Sequence, residues 1–337
     1  MDLCYNRPMW TLDTILDRSI VFSFDRGGFL RHQRNFDSGS LKVDLRNKTC
    51  LITGANSGLG FETAKKLAKL GAQVILVCRN RSKGLETMAK IEGTVRLEIL
   101  DVSDLKAIQQ FVSDFEGSQL DILIHNAGVL PTAREETRQG NEMVFATHVL
   151  GPFLMTRLLL PKLLAAQSPR VIWVSSGGMY AQKLDLQNLQ SVKSPYNGVT
   201  AYANAKRAQV ILNELWAERF PSKEIVFNSM HPGWVDTPGV VKSLPRFWKV
   251  MKNRLRLPKE GADTIVWLAV CEKIAQETGK FWFDRCSVAT HLFPWTRETK
   301  SEREQLWNII EGLTSPFMHQ DALKLESKHS KTVSKSA

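Results

Sequence analysis

Tyr202 and Lys206 stand four residues apart in Tyr-Ala-Asn-Ala-Lys, at the opening of a segment with helical patterning. At that spacing two side chains share one helix face. A free tyrosine titrates near pH ~10, too high for acid/base work at neutrality. An ammonium beside it favours the phenolate and lowers that value. The pair is thereby suited to moving a proton to or from an oxygen. Upstream, Ser176 follows an apolar run, with Ser175 as the neighbouring alternative. A hydroxyl there could donate to an oxygen on which negative charge develops. Alone, Tyr-x3-Lys is common and reads equally well as an exposed helix pair.

A second chemical signal lies at residues 48–60, Lys-Thr-Cys-Leu-Ile-Thr-Gly-Ala-Asn-Ser-Gly-Leu-Gly. Cys50, Leu51 and Ile52 suit a buried strand. Gly54, Gly58 and Gly60, with Asn56, Ser57 and Leu59 among them, suit a tight turn into a helix whose face carries Phe61, Ala64, Leu67 and Ala68. The open N–H groups and dipole of a helix start attract phosphate. Glycines let the backbone approach a pyrophosphate without a Cβ in the way. The spacing Gly-x3-Gly-x-Gly differs from the Gly-x-Gly-x2-Gly dinucleotide fingerprint. By itself it would serve equally as a strand-to-helix turn that binds nothing.

The surrounding pattern positions both signals. Strands are predicted near 48–53, 73–78, 95–100, 120–125, 170–175, 225–230 and 279–283, and helices near 58–70, 82–91, 104–115, 140–166, 199–219, 260–271 and 299–313. Strands alternating with helices imply a three-layer, doubly wound, mostly parallel seven-stranded α/β sheet of Rossmann type. Ligands of such sheets lie beyond the C-terminal strand ends. The expected ends carry Arg79, then Asp101-Val102, Asn126-Ala127-Gly128, Ser175-Ser176 and Pro232-Gly233, with Thr237 just beyond. An acid after the second strand would hold a ribose 2′-hydroxyl, and a cation a 2′-phosphate, so Arg79 favours NADP(H) over NAD(H). Asp101-Val102 is placed to touch an adenine.

Taken together, Thr53-Gly54-Ala55-Asn56-Ser57-Gly58-Leu59-Gly60, Asp101, Asn126-Ala127-Gly128, Ser176, Tyr202-x3-Lys206 and Pro232-Gly233 resemble the short-chain dehydrogenase/reductase family over about residues 47–290. Cys78-Arg79-Asn80 and the 26-residue step from Ser176 to Tyr202 look like its retinol-dehydrogenase-like branch. The resemblance implies an oxidoreductase interconverting a carbonyl and an alcohol. It implies Tyr202 as general acid in reduction and base in oxidation, and Lys206 as holder of the nicotinamide ribose. Ser176 would hydrogen-bond the substrate oxygen, Asn126 would steady the central strand, and Thr237 would contact the cofactor.

One position departs from the family. An asparagine usually stands three residues before a glycine in the helix after the fourth strand, where it binds a water that relays protons to the lysine. Here His148 precedes Gly151 at that distance. Imidazole can donate and accept hydrogen bonds. If it carries the relay, activity is expected to fall on acidification through the ordinary histidine range, near pH ~6.5. If it is only a packing substitute, that pH dependence is not expected; the alternative for the whole chain is a weakly catalytic or non-catalytic NADP(H)-binding sensor or scaffold. His125, before Asn126, reads as packing.

Composition bounds the partners. Lys+Arg number 45 against 34 Asp+Glu, a net charge of +11. That favours an anionic partner, but no nucleic-acid module is present, so no nucleic acid is expected. Five scattered cysteines without metal-ligand spacing fit a reducing compartment, hence an intracellular, cytoplasmic placement and no bound metal. No signal peptide or transmembrane span is expected, the apolar stretch 149–166 being broken by Arg157 and Lys162. The predicted organisation is an N-terminal extension 1–47, one dehydrogenase domain 48–315 with a substrate loop 237–259, and a disordered basic tail 316–337. In the extension, Leu12, Ile15, Leu16 and Ile20 share a helical face, packed on the domain or against a membrane or partner. Met179, Tyr180, Trp234, Phe247, Trp248 and Met251 are expected either as walls for a lipophilic carbonyl or alcohol or as core residues. Residues 237–259 hold no acid and seven cations, Lys242, Arg246, Lys249, Lys252, Arg254, Arg256 and Lys259. They read as a solvated loop or a peripheral membrane contact. A homo-oligomer is compatible with all of this.

Overall fold

The computed structural model describes residues 16–17, 19–193 and 195–319. Leu12 and Ile15, like residues 320–337, lie outside them. Apolar, β-branched runs form the sheet: β1 (Thr49–Thr53), β2 (Gln73–Cys78), β3 (Val95–Ile99), β4 (Ile122–His125), β5 (Arg170–Val174), β6 (Val226–Met230) and β7 (Lys280–Phe283). All seven lie within a few residues of expectation, and neighbouring pairs are parallel. The order is β3-β2-β1-β4-β5-β6-β7-β8. The chain winds outward from β1 through β3, crosses back to β4 and winds the other way. The seam between β1 and β4 is therefore the switch point where such sheets bind ligands.

The eighth strand, β8 (Cys286–Ser287), was not expected; it pairs antiparallel with β7. Asp284 and Arg285 between them have φ of 46° and 62°, as in a two-residue type I′ hairpin turn. Asp-Arg carries no local signal for that turn. Tertiary partners hold it: Asp284 pairs with Arg256 at 2.6 Å, and Arg285 with Asp263 at 2.6 Å.

The helices are α1 (Ile20–Phe24), α2 (Arg26–Gln33), α3 (Gly58–Lys69), α4 (Arg81–Met88), α5 (Leu105–Ser113), α6 (Met143–Leu164), α7 (Gly198–Arg219), α8 (Pro238–Ser243), α9 (Pro245–Met251), α10 (Pro258–Val270) and α11 (Lys300–Thr314). Strand alternation divides the core. Leu51 points into the layer holding Leu105, Val149 and Leu212, whereas Cys50 and Ile52 point into the layer holding Leu67, Ile265 and Leu268. Helices therefore cover both faces of the sheet. Helix α6 is long and apolar enough to span a bilayer, yet it is almost wholly buried here as a core helix.

Residues 20–34 pack against the segments that follow β6 and β7. Arg256, fully buried, forms two bonds to Asp284, at 2.6 and 2.8 Å, and also donates to the carbonyls of Ser23, Phe24, Asp25 and Pro232. His32 contacts the same carboxylate at 2.6 Å and Asp17 at 2.9 Å. Burial pushes the Asp284 carboxyl up, but the Arg256 charge and hydrogen bonds from His32 and Arg256 outweigh it and hold it below the usual range. Thus one of the cations of 237–259 is structural, and a second, Arg254, is paired with Asp25. Removing one partner of a buried pair strands the other charge, at a cost of about 3–5 kcal/mol. Arg256→Met is expected to lose stability of that order, read as a shift in the urea midpoint at unchanged slope. A shift below about 1 kcal/mol would show the pair to be dispensable.

Candidate active site

Parallel strands bring the expected residues to one sheet edge. Ser175 and Ser176 follow β5, and Tyr202 and Lys206 lie on the first turns of α7. The two serines have different tasks. Ser175, buried, donates through Oγ to the Lys206 carbonyl at 2.9 Å and ties β5 to α7. Ser176 faces the Tyr202 phenol, pulling its pKa down, and accepts from the Gly178 amide at 3.2 Å. Lys206 is buried, with Nζ donating to the Val174 carbonyl at 2.8 Å and lying 5.4 Å from the centre of the Tyr202 ring.

Burial raises the Tyr202 phenol above its ordinary value, opposed by the Ser176 side chain. Burial also brings Lys206 down to about 7, which works against the lowering that a full ammonium would give. Lys206 Nζ faces a carbonyl. Tyr202 is therefore protonated across the neutral range.

The cradle at the β1–β4 seam fits a dinucleotide. Gly54 and Gly58 have φ of 66° and 54°, a region that side chains resist. A Cβ on Gly54 would lie 2.7 Å from Ala127 Cα, and one on Gly60 2.5 Å from the Gly54 carbonyl. Ser57 at the N-cap of α3 makes no side-chain cap, leaving the first-turn donors for an anion. Asn126 Nδ2 donates to the Thr53 and Gly54 carbonyls at 2.9 and 3.1 Å. Thr53 Oγ1 in turn receives the amides of Asn126 and Ala127 at 3.0 and 3.1 Å. Asn56 offers its carbonyl to Thr87 Oγ1 at 3.0 Å, and Thr237 reaches over Gly58. Leu59 and Pro232 meet beside Gly261 of α10. Gly233 has φ of 73° and abuts Arg256.

The rim of the cradle is less uniform. The Gly54 amide donates to Val77 O at 2.8 Å, so Arg79, exposed two residues later, stands beside the glycine turn. Asp101 spends an oxygen on the Ser103 amide and hydroxyl, at 2.9 and 2.7 Å. Val102 is buried, its carbonyl against Gly151.

His148 lies in a five-residue π turn, Ala146–Leu150, within α6. Such turns recur at functional sites. Its ring stands edge-on to Tyr202 with centroids 5.2 Å apart and covers Gly128, where a Cβ would come within 2.8 Å. Nε2 meets the amide and carbonyl of Val129 at 3.0 and 2.9 Å, while buried Nδ1 has no hydrogen-bond partner among the described residues. Burial, with Lys206 nearby, drives its pKa well below the ordinary value. The shift runs against a titration near neutrality, and Nε2 is engaged by Val129. His125 is buried against Trp173 and bonded to Thr156, as packing predicts.

Several contributors carry no local signal. Phe24 of α1 packs on His231 at 4.5 Å and lies where a Cβ on Gly177, next to Ser176, would clash at 2.4 Å. Gln209 anchors the His148 carbonyl at 2.8 Å. Thr53 was visible only as a member of the glycine motif. Met179 and Tyr180 are core residues, the latter bonded to the Ala289 carbonyl at 2.8 Å. Trp234, Phe247, Trp248 and Met251 remain half-buried.

A dinucleotide cradle sharing a sheet edge with a Ser, Tyr and Lys cluster defines a nicotinamide-dependent oxidoreductase. The comparisons agree. The family model for short chain dehydrogenase matches residues 48–246. Human dehydrogenase/reductase SDR family member 12 is 40% identical over 316 residues, 90% of this chain and 99% of that one. Human retinol dehydrogenase 12 is 35% identical over 288 residues, 82% of this chain and 90% of that one. A crystal structure of an uncharacterised protein from Mycobacterium Paratuberculosis, 26% identical, superposes with a TM-score of 0.67 over 82% of this chain and 97% of that one. The chain belongs to the short-chain dehydrogenase/reductase family, in its retinol-dehydrogenase-like branch.

Buried neutral histidines give a pH signature. Burial lowers His125 and His231 to about 3, and lowers His148 strongly. In the unfolded chain each would bind a proton near pH ~6.5. The unfolded state then holds more protons, so this contribution is fully present above pH ~6.5 and is lost as pH falls toward the folded values. Each histidine contributes up to about 1.4 kcal/mol per pH unit. Urea unfolding at pH 7.5 and 5 should show this loss, and His148→Asn should reduce it by one histidine's share. An unchanged pH slope in the variant would mean that His148 is protonated in the fold.

Proposed function

We propose that this oxidoreductase uses NADP(H) and interconverts a carbonyl and an alcohol on a lipophilic substrate. The observation that carries this reading is the meeting of Ser176, Tyr202 and Lys206 beside the glycine cradle. When bound, the nicotinamide supplies the hydride in reduction and accepts it in oxidation. In reduction Tyr202 donates its phenolic proton to the substrate oxygen, and burial keeps that proton in place at neutral pH. Ser176 donates a hydrogen bond to the same oxygen as negative charge grows there. Lys206, balanced near neutrality by burial, holds the nicotinamide ribose and sets the charge beside the tyrosine. Gly54, Asn56, Ser57, Gly58, Leu59 and Gly60 bind the pyrophosphate, with Thr237 closing over Gly58. Asn126, Ala127 and Gly128 shape the cleft floor, Asp101 and Val102 the adenine side, and Pro232 and Gly233 the nicotinamide side. Arg79 meets the 2′-phosphate.

A lipophilic substrate is supported by half-buried Trp234, just before Thr237, and Phe247 and Met251 beyond it, and by relatives named as retinol dehydrogenases. A weakly catalytic sensor is the second reading. It is favoured by one observation, that His148 spends its Nε2 on Val129 and so offers little to a proton relay.

Titration with NADPH and NADH tests the cofactor. Arg79→Ala should weaken NADPH roughly 10- to 100-fold, the worth of a charge-assisted contact, and leave NADH unchanged. Equal affinity of the wild type for both cofactors would overturn the preference.

NADPH consumption with all-trans-retinal, a steroid ketone and a long-chain aldehyde tests the chemistry. Tyr202→Phe should slow the active pair roughly 100- to 10,000-fold with NADPH binding nearly intact, whereas Lys206→Ala should damage both. NADPH binding without turnover of any carbonyl would favour the sensor.

A further inference from the structure

Helices α8 and α9, with the turn that follows them, carry their cations outward. Lys242, Arg246, Lys249, Lys252 and Lys259 are exposed. The neighbouring acids are already engaged. Asp25 binds Arg254, buried Glu260 binds Arg26 at 3.0 Å, and Asp236 accepts from Trp248 Nε1 at 2.9 Å. The net field of this face is positive.

The same face exposes apolar side chains that a soluble surface has no use for. Val250, between Lys249 and Lys252, is 80% exposed. Helix α1 adds Ile20, Val21 and Phe22, at 40%, 39% and 43%. The two groups adjoin: the Arg254 guanidinium lies 4.9 Å from the centre of the Phe22 ring, and the Arg26 amide donates to the Arg254 carbonyl at 2.8 Å. Beneath them Trp234 and Phe247 are in edge contact at 5.3 Å, and Trp234 binds the Phe24 carbonyl at 2.9 Å. The patch therefore sits over the aromatic side of the proposed substrate cleft.

Cations ringing exposed aliphatic and aromatic groups match an interface of anionic headgroups over acyl chains. A duplex nucleic acid would use the cations but not Val250 or Val21. We propose that this face, formed by α1 and α8–α9, docks on an anionic lipid surface and opens the cleft toward the bilayer. The proposal deepens the lipophilic-substrate reading by naming the side from which substrate arrives. Its test needs no turnover, so the two readings fail separately.

The full-length protein is mixed with vesicles of phosphatidylcholine alone and of phosphatidylcholine with phosphatidylserine, and the bound fraction is measured by flotation. Binding is expected to the anionic vesicles, weakening with salt. Lys249→Gln with Lys252→Gln should reduce partitioning about 25-fold, at about fivefold per cation. Val250→Asp should reduce it as well, although it leaves every cation in place. Lys65→Gln with Lys66→Gln, exposed on α3, should leave it unchanged. Circular dichroism and NADPH titration check that each variant is folded. Failure of the wild type to bind anionic vesicles would overturn the proposal. So would an equal loss in the Lys65/Lys66 variant, which would assign binding to net charge alone. Retention on duplex DNA that Lys249→Gln with Lys252→Gln abolishes, without vesicle binding, would assign the face to nucleic acid.

Discussion

The site depends on how closely the turn after β1 approaches the end of β4. Gly54 leaves only 2.7 Å between an imagined Cβ and the Ala127 backbone. Asn126 and Thr53 lock that approach with reciprocal side-chain bonds to each other's backbone. The glycines of the turn add no side-chain bulk, so backbone amides and the N-terminus of α3 can approach a ligand closely there. A parallel sheet whose winding reverses at this seam places every other functional strand end on the same edge. The Ser176, Tyr202 and Lys206 cluster inherits its position from that arrangement, through β5 and the Ser175 bond to α7.

Burial then sets the chemistry. The same desolvation that raises the Tyr202 phenol lowers Lys206 to about 7. Both shifts favour the uncharged forms. The pair is held with little net charge, where a ligand that brings charge or excludes water can move either group. His148 follows the same rule more strongly. Its pKa is driven down by burial, and it packs on Gly128 edge-on to Tyr202. Its place in a π turn shows how α6 accommodates a ring there, with the backbone held by Gln209.

The segment before β1 is more than a leader to the sheet. Phe24 supports the Gly177 turn next to Ser176, and Arg256 gathers its backbone carbonyls together with Asp284. These contacts join the N-terminal helices, the loop after β6 and the β7–β8 hairpin around one buried ion pair. Such a pair confers little net stability over an apolar replacement, yet it cannot be half removed. It therefore defines one arrangement of three otherwise separate segments.

Local pattern determined much of this protein. Apolar runs broken by helical periodicity located all seven parallel strands, because buried strands and amphipathic helices must carry those patterns. Glycines at 54, 58 and 60, and Tyr202 four residues before Lys206, were legible because a tight turn and a shared helix face are short-range constraints. What required the tertiary structure was everything set by distant neighbours. That Ser175 spends its hydroxyl on the Lys206 carbonyl needed β5 and α7 to be seen packed together. Assigning Met179 and Tyr180 to the core needed Phe281 and Val210 packed against them. The β7–β8 hairpin, the role of Phe24 and the loss of Arg256 from the basic surface rest on contacts across 22 to 233 residues. The shifts of Tyr202, Lys206 and His148 from their ordinary pKa values follow from desolvation, which no residue's sequence neighbours can report.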